Sequence, residues 1–251
     1  MVVSETERIA PENLRVLLWD IDGTLVRSTR GGDFKHYFAP ALESVFGGAG
    51  RLAGMTVSGM TDLQIALEAL QHEGVTHEHV RERVSEFRTR FMVEMERVTK
   101  RAADAGEPFF YALPGAHEIL QTLESHSRYL SALLTGNLEP AALLKLEITG
   151  LAHFFELPGA FGDDSHDRRD LPALAAARIN EHLNLNLRPA QFIVIGDTPN
   201  DIACARHFGA RAVAVATGRN YSTETLRPHH PDAILPDLTD TATVIKTLDE
   251  L

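Results

Sequence analysis

The chain has 251 residues, 44% of them hydrophobic, and its 35 acidic and 24 basic side chains give a formal net charge of −11. A chain of this length can bury a sizeable core, either as one large domain or as a domain with an insertion. Its negative charge, which no basic run interrupts, argues against nucleic acid and against an anionic membrane as partners.

Three sequence features bear on the cellular location. The single cysteine, Cys204, allows no internal disulfide, which fits a reducing compartment. Residues 1–11 lack the apolar segment of a signal peptide, and no apolar run in the chain is long enough to span a bilayer. We therefore expect a cytoplasmic protein.

The first predicted element is an apolar strand, residues 16–19, followed at once by two acids, a glycine and a threonine. Such a run suits a strand buried on both faces of a parallel sheet, where ligands bind beyond the carboxyl ends of the strands. Asp20 and Asp22 point the same way in an extended backbone, and Gly23 lets the chain turn. Adjacent carboxylates repel each other, so a bound cation or a division into nucleophile and proton carrier is expected. Taken alone, the stretch also fits an ordinary Asp–Gly turn.

The middle of the chain is predicted to be helical. Helices are expected over 33–46 and 62–72, the second with Asp62 as its N-cap and Gly74 as its stop, and a long charged helical stretch over 77–103. An all-helical block that interrupts strands of a parallel sheet indicates an inserted domain.

The second half alternates strands with helices. Strands are predicted at 129–134, 160–161, 192–195, 212–216 and 233–235, and helices at 116–125, 139–149, 173–184, 202–208 and from 241 onward. This alternation predicts right-handed crossovers and an α/β fold with a doubly wound parallel sheet.

Polar residues follow two further strands of this predicted sheet. One group is Thr135, Gly136 and Asn137, and the other is the stretch 196–201 with Asp197 and Asp201. Because the carboxyl ends of parallel strands meet at one edge, the three strand ends should bring together four carboxylates, a hydroxyl, an amide and glycine-rich backbone.

In order and position, these strand ends resemble the motifs of the haloacid dehalogenase (HAD) superfamily of phosphotransferases. Residues 20–24 match its first motif, 135–137 its second and 196–201 its fourth. The third motif is a basic residue ahead of a helix, and phosphoglycolate-phosphatase-like members usually have Lys-Pro there. This chain has no such pair, and Arg168 is the predicted replacement, with Arg169 as the alternative.

The resemblance implies a Rossmann-like core over residues 1–26 and 112–251 and a helical cap over 27–111. It also implies a Mg²⁺-dependent phosphatase that hydrolyses a small phosphorylated metabolite through an aspartyl-phosphate. Asp20 would be the nucleophile, and Asp22 would protonate the leaving alcohol and then activate water. Four carboxylates that face a phosphate repel it strongly, which calls for a divalent cation.

Roles for the other residues follow from the same resemblance. The metal ligands would be the side chains of Asp20 and Asp197 and the backbone carbonyl of Asp22, with Asp201 either a ligand or an acceptor behind the ligands. Arg168 would supply positive charge to the phosphate. The predicted phosphate-binding residues are Gly23, Thr24, Thr135, Gly136 and Asn137. The predicted specificity residues of the cap are Lys35, His36 and Thr61, together with Arg30, Gly31, Gly32 and the other residues of the turn 58–62 that contains Thr61.

Asp22 favours phosphate esters over other substrates of the superfamily, because a halide leaving group needs no proton. Two alternatives stay open. One is a β-phosphoglucomutase-like phosphotransferase, and the other is a non-enzymatic phosphate-binding or aspartyl-phosphorylated signalling protein that resembles a receiver domain. Asp22 and the inserted cap both speak against the second alternative. We expect a monomer or a homodimer.

Overall fold

The computed structural model describes residues 10–29 and 34–251. The strands are β1 (Arg15–Trp19), β2 (Val26–Ser28), β3 (Phe110–Ala112), β4 (Tyr129–Leu133), β5 (Phe192–Gly196), β6 (Arg211–Val215) and β7 (Ala233–Leu235). The α-helices are α1 (Lys35–Phe46), α2 (Asp62–Leu70), α3 (His77–Glu82), α4 (Val84–Asp104), α5 (Ala116–Glu124), α6 (Glu139–Thr149), α7 (Leu171–Leu183), α8 (Pro199–Phe208), α9 (Thr223–Leu226) and α10 (Thr241–Asp249).

Five strands form one parallel sheet in the order β4-β1-β5-β6-β7. Leu18 at the centre of β1 lies between Ala132 of β4 and Val194 of β5. The predicted parallel sheet is therefore confirmed. The short strand expected at 160–161 is reduced to one bridge between Leu134 and Ala160.

Both faces of this sheet are covered. Along β1, Val16 and Leu18 belong to one buried cluster, while Leu17 and Trp19 belong to another. This alternation follows from the two-residue period of a strand. Helices α7 and α8 supply residues to the first cluster, and α5, α6 and α10 supply residues to the second. The doubly wound arrangement that the sequence predicted is thus present.

A small antiparallel ribbon joins the sheet to the helical segment. Strands β2 and β3 pair through Val26 opposite Ala112 and Ser28 opposite Phe110. The sequence analysis predicted no strands here, because three-residue strands are too short to show a period. Residues 34–109, with helices α1 to α4, lie between the two strands, and we refer to them as the cap. The rings of Phe38, Phe87 and Phe91 pack together at its centre.

The cap is seated on the carboxyl edge of the sheet. The backbone N–H of Asp62 donates to the carbonyl of Gly136 at 2.7 Å, and the Asn200 side chain donates to the carbonyl of Gly59 at 2.9 Å. Arg88 of α4 also pairs with Asp163 of the core at 3.0 Å. These contacts enclose the strand ends where the predicted motifs lie.

The helix starts differ from the sequence prediction in one informative place. Thr61, not Asp62, caps α2, because its backbone is extended and its hydroxyl accepts from the N–H of Gln64. The predicted start of the first helix, Asp33, lies outside the described residues. Among the described helices, none has the length and apolar character needed to cross a bilayer.

Candidate active site

A cavity of about 440 Å³ lies between the cap and the carboxyl edge of the sheet. Most of the residues predicted to act on phosphate line it: Asp20, Asp22, Gly23, Thr135, Gly136, Asn137, Arg168 and Asp197. Its cap side is largely apolar, with Phe34, Phe38, Met55, Val57, Met60 and Ile65. The cavity therefore has a polar end at the sheet and an apolar end at the cap.

Asp20 follows β1 directly and is buried at the polar end of the cavity. Its backbone N–H donates to the carbonyl of Ile195 at 2.9 Å, which extends the pairing of β1 with β5 by one residue. Burial raises the pKa of the Asp20 carboxyl to about 7; Arg168 opposes the rise, while Asp201 and Asp22 add to it. The sheet thus holds this carboxylate at the floor of the cavity.

Arg168 is the basic residue that the structure brings to the acids. Its guanidinium lies 2.9 Å from Asp20 and 2.5 Å from Asp201, and it is buried with both of them. Burial disfavours the charge of Arg168, but Asp201 and Asp20 hold its pKa well above the ordinary value. Arg169, the sequence alternative, is exposed and paired with Asp167 at 2.6 Å. Both arginines lie in a short helical turn, Arg168–Asp170, and their side chains therefore point in different directions.

Three buried carboxylates, those of Asp20, Asp197 and Asp201, can bring one oxygen each within 4.8 Å of one another. Burial and the neighbouring Asp20 raise the pKa of Asp197 well above its ordinary value. One oxygen of Asp201 accepts from the backbone N–H and the hydroxyl of Thr198, at 2.9 and 2.7 Å, and the other faces Arg168. Such an all-oxygen, mutually repelling set fits a hard divalent cation such as Mg²⁺.

Asp22 is placed differently from the other acids. Its side chain is 47% exposed and does not belong to the carboxylate cluster. One oxygen, Oδ2, accepts from the Asn137 amide at 2.7 Å and from the Lys145 ammonium at 2.5 Å. Gly23 turns the chain after it with a φ of +91°, and a Cβ there would lie 2.5 Å from an Asp197 oxygen. Only glycine fits this turn.

The loop after β4 lies against Asp22. Thr135 is fully buried, its N–H donates to Ala160 at 3.1 Å, and its hydroxyl accepts from the Asn137 amide at 2.7 Å. A Cβ on Gly136 would clash with the carbonyl of Met60 in the cap. The loop can thus approach both the cap and the cavity closely.

Three predicted binding residues, Thr24, Thr61 and His36, are not among the residues that line the cavity. Thr24 is buried behind Asp197, with its hydroxyl 3.4 Å from that carboxylate. Thr61 is also buried; its hydroxyl caps α2 and donates to the carbonyl of His166 at 3.1 Å. His36 is exposed on α1.

Lys35 does line the cavity, and its ammonium donates to the carbonyl of Ala53 at 2.5 Å. The remaining predicted specificity residues, Arg30, Gly31 and Gly32, lie outside the described residues.

Sequence reasoning missed one buried charged residue of the cavity, Lys145. Asp62, which belongs to the predicted specificity turn 58–62, is also buried and lines the cavity. Lys145 lies on the buried face of α6 with Ala141, Ala142 and Leu146. A lysine at that helical spacing among apolar residues was a detectable signal.

The chain is similar to known hydrolases in sequence and in fold. A HAD-hydrolase-like family model matches residues 171–241. A phosphoglycolate phosphatase of Pectobacterium atrosepticum is 28% identical over 234 residues, covering 90% of each chain. A hydrolase of known structure from Pseudomonas syringae superposes with a TM-score of 0.64 at 22% identity, covering 94% of this chain and 99% of the other.

A candidate β-phosphoglucomutase of Thermotoga maritima superposes with a TM-score of 0.56 at 21% identity, covering 93% of this chain and 99% of the other. At such identities the two structural likenesses concern the fold.

Proposed function

We propose that this chain is a phosphatase of the haloacid dehalogenase superfamily, which hydrolyses a small phosphate monoester through an aspartyl-phosphate on Asp20. The observation that carries the proposal is the pairing of a buried carboxylate with Arg168 at the floor of a cavity that also holds Asp22. A nucleophile, a cation for the phosphoryl oxygens and a second acid are the groups that phosphoryl transfer requires.

In the first step, an oxygen of Asp20 attacks phosphorus and the bond to the ester oxygen breaks. Arg168, the Thr135 hydroxyl and the N–H of Gly136 would donate to the phosphoryl oxygens, and their position in the cavity lining supports this role. Asp22 gives its proton to the departing alkoxide, so that a neutral alcohol leaves.

In the second step, Asp22 takes a proton from water, which attacks phosphorus and releases phosphate from Asp20. The half-exposed position of Asp22 suits this role, because the acid must meet substrate first and water afterwards. Burial of Asp20 keeps other nucleophiles from the intermediate.

The divalent cation is part of the proposal. The residues that would hold Mg²⁺ are Asp20 and Asp197 through their carboxylates and Asp22 through its backbone carbonyl. When bound, the ion supplies positive charge that offsets the repulsion between these acids and the phosphate dianion. Asp201 supports the site by fixing Arg168 at 2.5 Å.

The proposed substrate is a small phosphorylated metabolite, not a nucleic acid or a membrane lipid. The chain's negative charge of −11 speaks against polyanionic partners. The Pectobacterium relative is named for phosphoglycolate, which makes this ester the first to test. Among the described cap residues that line the cavity, Lys35 would meet a second anionic group of the substrate.

The test is phosphate release from a panel of phosphate monoesters with Mg²⁺, including 2-phosphoglycolate and p-nitrophenyl phosphate. Borohydride reduction during turnover should convert Asp20 to homoserine, which mass spectrometry detects. No phosphate release from any ester would contradict the proposal. Conversion of β-glucose 1-phosphate to glucose 6-phosphate without phosphate release would support the mutase alternative instead.

A further inference from the structure

Lys145 is a buried lysine whose ammonium is held by two partners in the cavity. Its nitrogen lies 2.5 Å from Oδ2 of Asp22 and 2.6 Å from Oδ1 of Asn137. It also lies 5.4 Å from the ring centre of Phe110, on the strand that returns from the cap. The side chain is 4% exposed, and helix α6 places it there with the apolar residues of its buried face.

The two carboxylate oxygens of Asp22 differ in their hydrogen-bond partners. Oδ2 accepts from both Lys145 and the Asn137 amide, at 2.5 and 2.7 Å. Oδ1 has no hydrogen-bond partner among the residues that the structure describes and belongs to a side chain that lines the cavity. One oxygen is thus fixed and the other is available to a ligand.

We propose that Lys145 is a positioning residue, which holds Asp22 by Oδ2 so that Oδ1 faces the ester oxygen of the substrate. This inference rests on the proposed function, because it concerns the proton that Asp22 transfers. The amide of Asn137 is the second donor to Oδ2 and links it to Thr135 of the phosphate-binding loop.

The geometry suits both protonation states that the reaction needs. While Asp22 is the acid, the proton is on Oδ1 and Oδ2 is a carbonyl oxygen that accepts from Lys145. After the proton has gone to the leaving alkoxide, Oδ2 is a carboxylate oxygen with the same two donors. The proton that water later gives up returns to Oδ1. Lys145 neither gains nor loses a proton in this cycle.

Asp22 needs a residue that fixes its position because its side chain is exposed. A side chain that is 47% exposed populates several rotamers, and a general acid acts only from within hydrogen-bond reach of its target. A merely structural explanation is that Lys145 compensates the buried charge of Asp62, which lies nearby. The two explanations differ in what removal of the ammonium does to proton transfer.

The experiment compares Lys145→Met with wild type on an alkyl phosphate and on p-nitrophenyl phosphate, whose leaving group needs little protonation. We expect kcat for the alkyl ester to fall about 10²-fold and kcat for the aryl ester to fall much less, as for Asp22→Ala. In the Asp22→Ala background, Lys145→Met should cause little further loss. Lys246→Met, at an exposed lysine of α10, is the matched control and should leave both rates unchanged.

Equal losses on the two esters, or full additivity with Asp22→Ala, would overturn the positioning role. If Lys145→Met does not fold, Lys145→Gln retains a neutral donor and should show the same selective loss at smaller size. Crystal structures separate this inference from the proposed function, since they need no turnover. Asp22 should occupy one rotamer in wild type and several in Lys145→Met, and one unchanged rotamer in the variant contradicts the inference even if no ester is hydrolysed.

Discussion

The carboxylate of Asp62, in the first turn of α2, accepts a 2.8 Å hydrogen bond from the backbone N–H of Leu138 in the loop after β4. The N–H of Asp62 donates in return to the carbonyl of Gly136 at 2.7 Å. One cap residue thus holds the core loop that lines the polar end of the cavity. Burial raises the pKa of Asp62 to about 7; Lys145 and the Leu138 N–H oppose the rise, and Asp22 and Asp163 add to it.

This raised pKa predicts that Asp62 destabilises the protein as the pH rises from about 4 to about 7. The folded protein binds the proton of Asp62 more tightly than the unfolded chain does. The stability that comes with protonated Asp62 is therefore fully present below the pKa of the unfolded chain, and it is lost as Asp62 ionises. The cost of the ionised form is on the order of 4 kcal/mol. Asp62→Asn cannot ionise, so its Tm relative to wild type should increase by several degrees between pH 4 and pH 8.

Thermal unfolding of both proteins across this pH range is the measurement. Asn accepts from Leu138 as Asp does, so any packing change should give a constant offset at all pH values. Parallel curves for the two proteins would show that Asp62 keeps an ordinary pKa in the folded state.

The surroundings of Gly59 indicate that the cap must lie close to the core at this position. It has a φ of +73°, and a Cβ there would lie 2.5 Å from the hydroxyl of Thr198. Gly74 has a similar φ of +76° with no atom within 4 Å of its would-be Cβ, which makes Gly74→Ala a matched control. Both substitutions should cost roughly 1–2 kcal/mol of backbone strain. Only Gly59→Ala should also displace the cap, and so raise KM and lower kcat together.

Steady-state kinetics and thermal unfolding of these two variants test the expectation. Equal kinetic effects of Gly59→Ala and Gly74→Ala would mean that cap seating on Thr198 has no part in turnover.

Asp20→Asn should abolish turnover, by more than about 10³-fold, while the protein stays folded. The amide cannot form an acyl phosphate, and it removes one carboxylate from the buried cluster. Because the charge at Asp20 is buried and repelled by Asp201, the variant should melt at or above the wild-type temperature in metal-free buffer. Phosphate release and Tm together check this, and turnover near the wild-type rate would remove Asp20 from the nucleophile role.

Removal of divalent cations should stop phosphate release, and added Mg²⁺ should restore it. Among the residues that the structure describes, Arg168 is the cation paired with the buried carboxylates, and one positive charge cannot balance three negative ones. Mg²⁺ should also raise the Tm of wild type by binding the folded state, and it should do so less for Asp197→Asn. Full activity in excess chelator would reject the metal site.

The sequence alone determined those features that depend on neighbouring residues. Strand β1 and the acids at its end are adjacent in the chain, so their placement at the sheet edge followed from an apolar run and a turn. The same reasoning applied to Thr135 after β4 and Asp197 after β5, since the carboxyl ends of parallel strands meet. The parallel α/β fold and the family resemblance could be predicted for this reason.

The tertiary structure alone decided which side chains of the less regular segments face the cavity. The sequence predicted Arg168 and kept Arg169 as the alternative. The packing of their turn against α8 directs the first toward Asp20 and leaves the second in solvent. Lys145 meets Asp22 from 123 residues away, and Thr61 turns toward His166 across 105 residues. Such contacts depend on how the cap and the helices pack on the sheet, which local periodicity does not record.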